Sequence, residues 1–324
     1  MSNTPTNPSP NEIITLLDLQ QESDDDSCMV CPNPCQDHES YPQYLKIDRT
    51  SPLDSTVKPY FRHVVISTGK SDWPERIDEE SNSFAACLNN AIKDAGKKKD
   101  NKKNNDKNNS SSSRDKLEND ESQEKPPKIL ITNSSRHNSD NVPFSDGNDI
   151  LLFPDNILVR QVPSKYVSDF HQKFLSYKSN YKENDNEQQQ QSSSSTFNFN
   201  VESIPYKAII LICSHRRRDK RCGTAGPILK SEFENVLRTR GLDTETRPND
   251  GVGVFMTSHI GGHKFAGNLI VYRNGQGIWY GRVLPCHAKA IIQNTVIEGK
   301  VIKDLYRGSM NGSFGEGKGG KLEW

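Results

Sequence analysis

Residues 206–241, YKAIILICSHRRRDKRCGTAGPILKSEFENVLRTRG, open with an unbroken apolar run, Ala208 to Cys213. The run is strand-sized, far below the roughly 20 residues of a membrane-spanning helix, and a strand covered on both faces has this uniform character. A helix is expected over AGPILKSEFENVLRTRGL, with Gly241 just past its end. Between strand and helix lies ICSHRRRDKRCG, residues 212–223, a loop with a cysteine at each end and Arg216, Arg217, Arg218, Lys220 and Arg221 between them.

Downstream, GVGVFMTSH reads as a second buried strand, GNLIVYRNGQGIWYGRV as a hairpin turning at Asn274 and Gly275, and HAKAIIQNTVIEG as a closing helix. That order is what a thioredoxin-like α/β sandwich gives. Upstream, FRHVVIST, PPKILITNSS and NDILLFPDNILV supply strands, SNSFAACLNNAIKDAG a helix stopped by Gly96, and VSDFHQKFLSYKSNY a second helix. This half reads as the same class, so the chain is expected to hold two thioredoxin-like α/β domains. Boundaries follow composition: a largely disordered lead over 1–59, an N-terminal domain over 60–181 with a charged low-complexity insertion at 97–125, and a linker at 182–200. The C-terminal domain then covers 201–307 and a flexible glycine-rich tail 308–324.

The 324 residues carry 42 basic and 42 acidic side chains, so no global field drives the chain to nucleic acid or to anionic lipid. Only 32% of residues are apolar and mean hydropathy is −0.82, as polar insertions in ordinary domains produce. A soluble protein with neither a nucleic-acid nor a membrane partner is expected. The N-terminus is acidic where a mitochondrial presequence is Arg-rich, which favours a cytoplasmic address. Seven cysteines without a secretion signal suit metal or redox use better than a disulfide framework.

Two clusters carry chemistry. In the first, the basic loop between Cys213 and Cys222 is expected to favour thiolates, the form that binds metal. In the second, TSHIGGHKFAGN, residues 257–268, His259 and His263 flank Gly261 and Gly262 at a strand end, and glycine lets backbone approach a bulky ligand. Two sulfurs and two imidazoles suit either one tetrahedral zinc or a two-iron rhombus, and spacing alone does not separate them. No paired carboxylates, Ser-His-Asp order or complete dinucleotide fingerprint accompanies them, so no catalytic residue is named.

The run from Cys213-Ser-His215 to Cys222-Gly223, with Ser258-His259-Ile260-Gly261-Gly262-His263 and then IWYGRVLP and YRG, resembles the sucrase/ferredoxin-like family of thioredoxin-fold proteins. The resemblance is strong from about Tyr206 to Arg307 and loose before it. It implies a [2Fe-2S] cluster held by Cys213, Cys222, His259 and His263, with His215 supporting the ligands, in a cytosolic electron carrier or redox sensor. Because two ligands are imidazoles, electron uptake is expected to bring a proton with it. The alternatives are a zinc-stabilised interaction protein on the same four ligands and a thiol enzyme with Cys213 as nucleophile. The terminal Leu322-Glu323-Trp324 resembles the tripeptide by which the cytosolic iron-sulfur targeting complex captures clients. Cys28, Cys31 and Cys35 form a weaker thiol cluster among acids and prolines, whereas Cys87 and Cys286 read as packing residues.

Overall fold

The computed structural model describes residues 16–17, 38–108, 128–138, 147–176 and 197–314, with the backbone alone for 16–17 and 98–108. Cys28, Cys31, Cys35 and the Leu322-Glu323-Trp324 terminus lie outside the described residues.

The elements are β1 (Leu16–Leu17), β2 (Arg62–Ser67), α1 (Phe84–Asn108), β3 (Ile129–Ser134), β4 (Gly147–Phe153), β5 (Ile157–Pro163), α2 (Val167–Phe170) and β6 (Asn200–Ser203). After them come β7 (Ala208–Cys213), α3 (Lys220–Thr239), β8 (Val252–Thr257), β9 (Leu269–Arg273), β10 (Gln276–Tyr280), α4 (Ala288–Ala290), β11 (Val301–Ile302) and β12 (Tyr306–Ser309). Helices α2 and α4 run on as wider π turns over His171–Leu175 and Ile291–Ile297. The fold class is mixed α/β. Among the described residues no helix is long and apolar enough to cross a membrane.

Ten strands form one mixed sheet in the order β12-β10-β9-β7-β8-β3-β2-β4-β5-β6. Its halves repeat one plan: β2 runs parallel to β3 and antiparallel to β4 of a β4-β5 hairpin, as β7 does to β8 and to β9 of the β9-β10 hairpin. The halves join where β3 meets β8 antiparallel at Ser134 and Thr257, with flanking bonds from the Ser135 N–H to the Met256 carbonyl and from the Ser258 N–H to the Asn133 carbonyl, each at 2.9 Å. The plan matches in register too, since Ser67 sits opposite Ser134 as Cys213 sits opposite Thr257.

Period-two alternation sorts each strand between two cores. Ala208, Ile210 and Ile212 face α3 and α4, while Ile209, Leu211 and Cys213 face a shared core that also takes Val65, Leu151 and Phe153 from the first half. The Phe153 and Tyr272 rings stack 3.7 Å apart across it. Val64 and Ile66 turn the other way, onto α1 and α2. Burial on both sides explains the unbroken apolar run of β7.

The hairpin turns at Asn274 and Gly275, whose φ values of 51° and 76° are the pair of positive angles that a two-residue turn of this hand needs. Elsewhere the sequence-based expectations need correction. Helix α1 continues past Gly96 to Asn108, because one glycine costs a helix only about 1 kcal/mol. The boundary expected at residue 201 falls inside β6, which pairs with β5 of the first half. Within the lead expected to be largely disordered, residues 38–59 are described and strap the second half. Tyr41 donates to the Val283 carbonyl at 2.8 Å, the Asp48 N–H donates to the Lys264 carbonyl at 2.8 Å, and Arg282 donates to the Asp48 carbonyl at 2.6 Å.

A buried polar chain crosses the shared core. His63 bonds Thr132 at 2.8 Å and the Tyr272 hydroxyl at 2.7 Å, Tyr272 meets Tyr60 at 3.0 Å, and Trp279 donates to Tyr60 at 2.8 Å. Burial lowers the His63 pKa to about 3. The folded protein thus keeps His63 neutral at a pH where the unfolded chain takes up a proton, so stability falls as pH drops from about 6.5 towards 3. Between pH 7 and pH 5 this one group is expected to remove about 2 kcal/mol. Urea midpoints for wild type and His63→Gln check it: the variant loses less stability over that interval, and equal losses would show that His63 does not set the acid response.

Candidate metal centre

Cys213 is the last residue of β7, and its N–H donates to the Asn268 carbonyl at 2.9 Å. Cys222 is on the first turn of α3, which starts at Lys220 and not at Ala225 as the sequence suggested. The reason is Asp219, whose carboxylate caps the helix by accepting the Arg221 N–H at 2.9 Å. The earlier start turns Cys222 inward, and both cysteines are 1% exposed.

The two thiols form one coupled pair. The Cys222 thiol beside it, then the His259 imidazole and the Ile260 N–H, hold the Cys213 thiol well below its ordinary range against the opposing effect of burial. Cys222 is raised, first by sharing its proton with Cys213 and then by burial.

His259 and His263 follow β8, their ring centroids 5.4 Å apart. Nδ1 of each is buried and has no hydrogen-bond partner among the described residues. Buried polar atoms seldom stay unpaired, so two orphaned nitrogens near the cysteine pair are candidate donors. On its outer side His263 Nε2 lies 3.9 Å from the Asp219 carboxylate. Its imidazole is lowered by burial first, against the pull of Asp219.

His215 fixes the loop. Its Nδ1 accepts the His259 N–H at 3.1 Å while Nε2 faces the Trp73 and Pro74 carbonyls at 3.0 and 2.9 Å, which assigns the ring proton to Nε2. Gly262 has φ +66°, and a Cβ there would lie 2.2 Å from the Arg307 guanidinium, so both backbone and space require glycine.

Only part of the basic run acts as its composition suggests. Arg216, Arg217 and Arg218 are exposed, Arg217 and Arg218 pair with Asp72 and Glu75, and Arg221 is clamped by Asp219 at 2.8 Å. From this run Arg221 favours the Cys222 thiolate; a second charge that faces both sulfurs belongs to Arg307, which sequence reasoning missed. It is 1% exposed and has no carboxylate partner among the described residues. It donates to Thr56 Oγ1 at 3.1 Å, Gly261 O at 3.3 Å and Asn268 Oδ1 at 2.9 Å. Burial lowers its pKa to about 10, opposed by the negative charge of Cys213 and Cys222. The one signal in the sequence is an arginine set between Tyr306 and Gly308 in an otherwise apolar strand end.

At matching places the first half has Ser67, the last residue of β2, and Arg136, two residues beyond β3, joined at 3.2 Å. These stand where the second half has Cys213 and His259, and Arg136 is instead neutralised by the buried Asp149 at 3.0 Å. One plan thus carries an ion pair in one half and a cysteine with a histidine in the other. Cys87 is half-buried on α1 and Cys286 half-buried in the turn before α4. Among the described residues no three or more His, Cys, Asp or Glu side chains gather closely enough to hold a single metal ion.

Comparison with known proteins adds to this geometry. The sequence profile described as sucrase/ferredoxin-like matches residues 53–308. The chain belongs to the sucrase/ferredoxin-like family. It is 46% identical over 104 residues to altered inheritance of mitochondria protein 32 of Clavispora lusitaniae, covering 32% of this chain and 35% of that one. The protein of the same name from Debaryomyces hansenii is 47% identical over 107 residues, 32% of this chain and 36% of that one. Actin patches distal protein 1 of Saccharomyces cerevisiae is 38% identical over 102 residues, 30% and 32% of the two chains. The chain therefore spans about a third of the length of these relatives. A solved thioredoxin-like [2Fe-2S] ferredoxin from Aquifex aeolicus aligns with 16% identity and a TM-score of 0.26, over 32% of this chain and 91% of its own. At that score the likeness says nothing of this family member's cofactor.

Proposed function

We propose that this sucrase/ferredoxin-like protein binds a [2Fe-2S] cluster, with Cys213 and Cys222 on one iron and His259 and His263 on the other, and works as an electron carrier or redox sensor. The observation that carries this reading is the two orphaned Nδ1 atoms, His259 and His263, beside a cysteine pair already biased to the thiolate. A rhombic two-iron core asks for two protein donors at each metal, whereas a structural zinc asks for four round one ion. The donors come as a sulfur pair and a nitrogen pair.

Bound there, the cluster would supply a one-electron couple. The chain does the rest. Arg307 sets a buried positive charge against the thiolates, and Asn268 donates to the Gly262 carbonyl at 3.0 Å, which fixes the backbone between the two histidines. The cysteine side is closed, but the His263 side chain is 44% exposed, which leaves the imidazole edge open to a partner and to protons.

Visible absorption with iron and acid-labile sulfide analysis of anaerobically purified protein tests the proposal. A coloured protein with about two irons and two sulfides per chain supports it. A colourless zinc protein returns the site to the interaction-protein reading.

A further inference from the structure

A cleft of about 200 Å³ opens beside the loop that joins His259 to His263. Tyr60 and Trp279, 1% and 2% exposed, form its aromatic floor, and Gly261, Arg307, Lys58 and Lys128 stand round it. The three cations come from separate places: the strap before β2, the residue before β3, and β12. No carboxylate pairs with any of them among the described residues. Like charges set round one cleft add their positive potential there. The Lys128 ammonium shows it, being pushed below its usual range by partial burial and then by the charge of Lys58.

We propose that this cleft binds a small doubly charged oxyanion, a phosphate monoester or a dicarboxylate. Three cations call for more than one negative charge, and the volume, below the roughly 300–1,000 Å³ of ordinary ligand pockets, admits only a small group. Arg307 serves the cleft and the metal centre together, since it also bonds the Gly261 carbonyl between the two histidines. The ligand thus sits against Gly261, two residues from each of the proposed histidine ligands, where a small redox substrate or a charge-bearing regulator is placed to act. Occupancy by an oxyanion requires no cluster, so it stands or falls separately from the cluster reading.

Calorimetric titration of the full chain with inorganic phosphate, and separately with succinate, at constant ionic strength set by chloride, tests the proposal. One-to-one saturable binding of at least one probe is expected, and the one preferred tells phosphate from dicarboxylate chemistry. Lys58→Ala with Lys128→Ala should weaken that binding at least tenfold. Both side chains are exposed, so the double variant should keep the thermal midpoint and visible spectrum of wild type. No saturable binding of either probe, or binding that the double variant leaves unchanged, would overturn the proposal.

Discussion

Serine at Cys213 or Cys222 strips the purified chain of its visible absorption, whereas cysteine at His259 or His263 leaves a coloured protein with a lower midpoint potential. The two halves of this expectation rest on different physics. A serine oxygen is a poor partner for iron that prefers soft sulfur, and at these sites it would stand in a closed pocket where both native side chains are 1% exposed. A cysteine at either histidine restores a donor but adds a negative charge. Clusters with two histidines lie several hundred millivolts above all-cysteine ones, so one replacement should lower the midpoint on the order of 100 mV. A Cys213→Ser protein that keeps both its colour and its midpoint potential would show that Cys213 only packs the shared core. Cysteine variants at His259 or His263 with an unchanged potential would place the nitrogen ligands elsewhere.

Arg307→Ala should destabilise the fold by about 3 kcal/mol, from the buried acceptors it strands and the packing it removes. The guanidinium makes three hydrogen bonds and packs over Phe265 and Trp279 at 5.4 and 5.8 Å, so truncation leaves buried acceptors at Asn268 and Gly261 with nothing to accept. Set against a total of roughly 5–15 kcal/mol for a typical domain, that loss is large. It should also reach the metal centre, since the Gly261–Gly262 backbone is held partly by this side chain. Urea denaturation measures the first effect and iron content the second. A loss under about 1 kcal/mol, with iron retained, would mean that the buried charge supports neither.

What could be read from the sequence is what local chemistry decides. Strand β7 announces itself because both of its faces are covered, and Asn274-Gly275 fixes its hairpin because few residues tolerate two successive positive φ angles. Cys213 and His259 were legible as strand-end residues, and their adjacency follows from the parallel pairing of β7 and β8. The joining of both halves into one sheet was not legible, because it depends on the Ser134–Thr257 pair, separated by more than a hundred residues. Nor was the ordering of residues 38–59, whose polar composition looks like solvated chain until Val283, Lys264 and Arg282 supply partners. The basic loop misled for the same reason, since Asp72 and Glu75, which neutralise Arg217 and Arg218, come from the other half. Arg307 was missed because one arginine in a short strand gives no hint of being buried until the fold closes over it.

The most direct test is the nitrogen hyperfine spectrum of the reduced protein, recorded by pulsed electron paramagnetic resonance. Two strongly coupled nitrogens in wild type, one in each of His259→Cys and His263→Cys, is the result predicted here. A paramagnetic cluster with no strongly coupled nitrogen, or an unchanged pair of couplings in those variants, would contradict ligation by these two histidines.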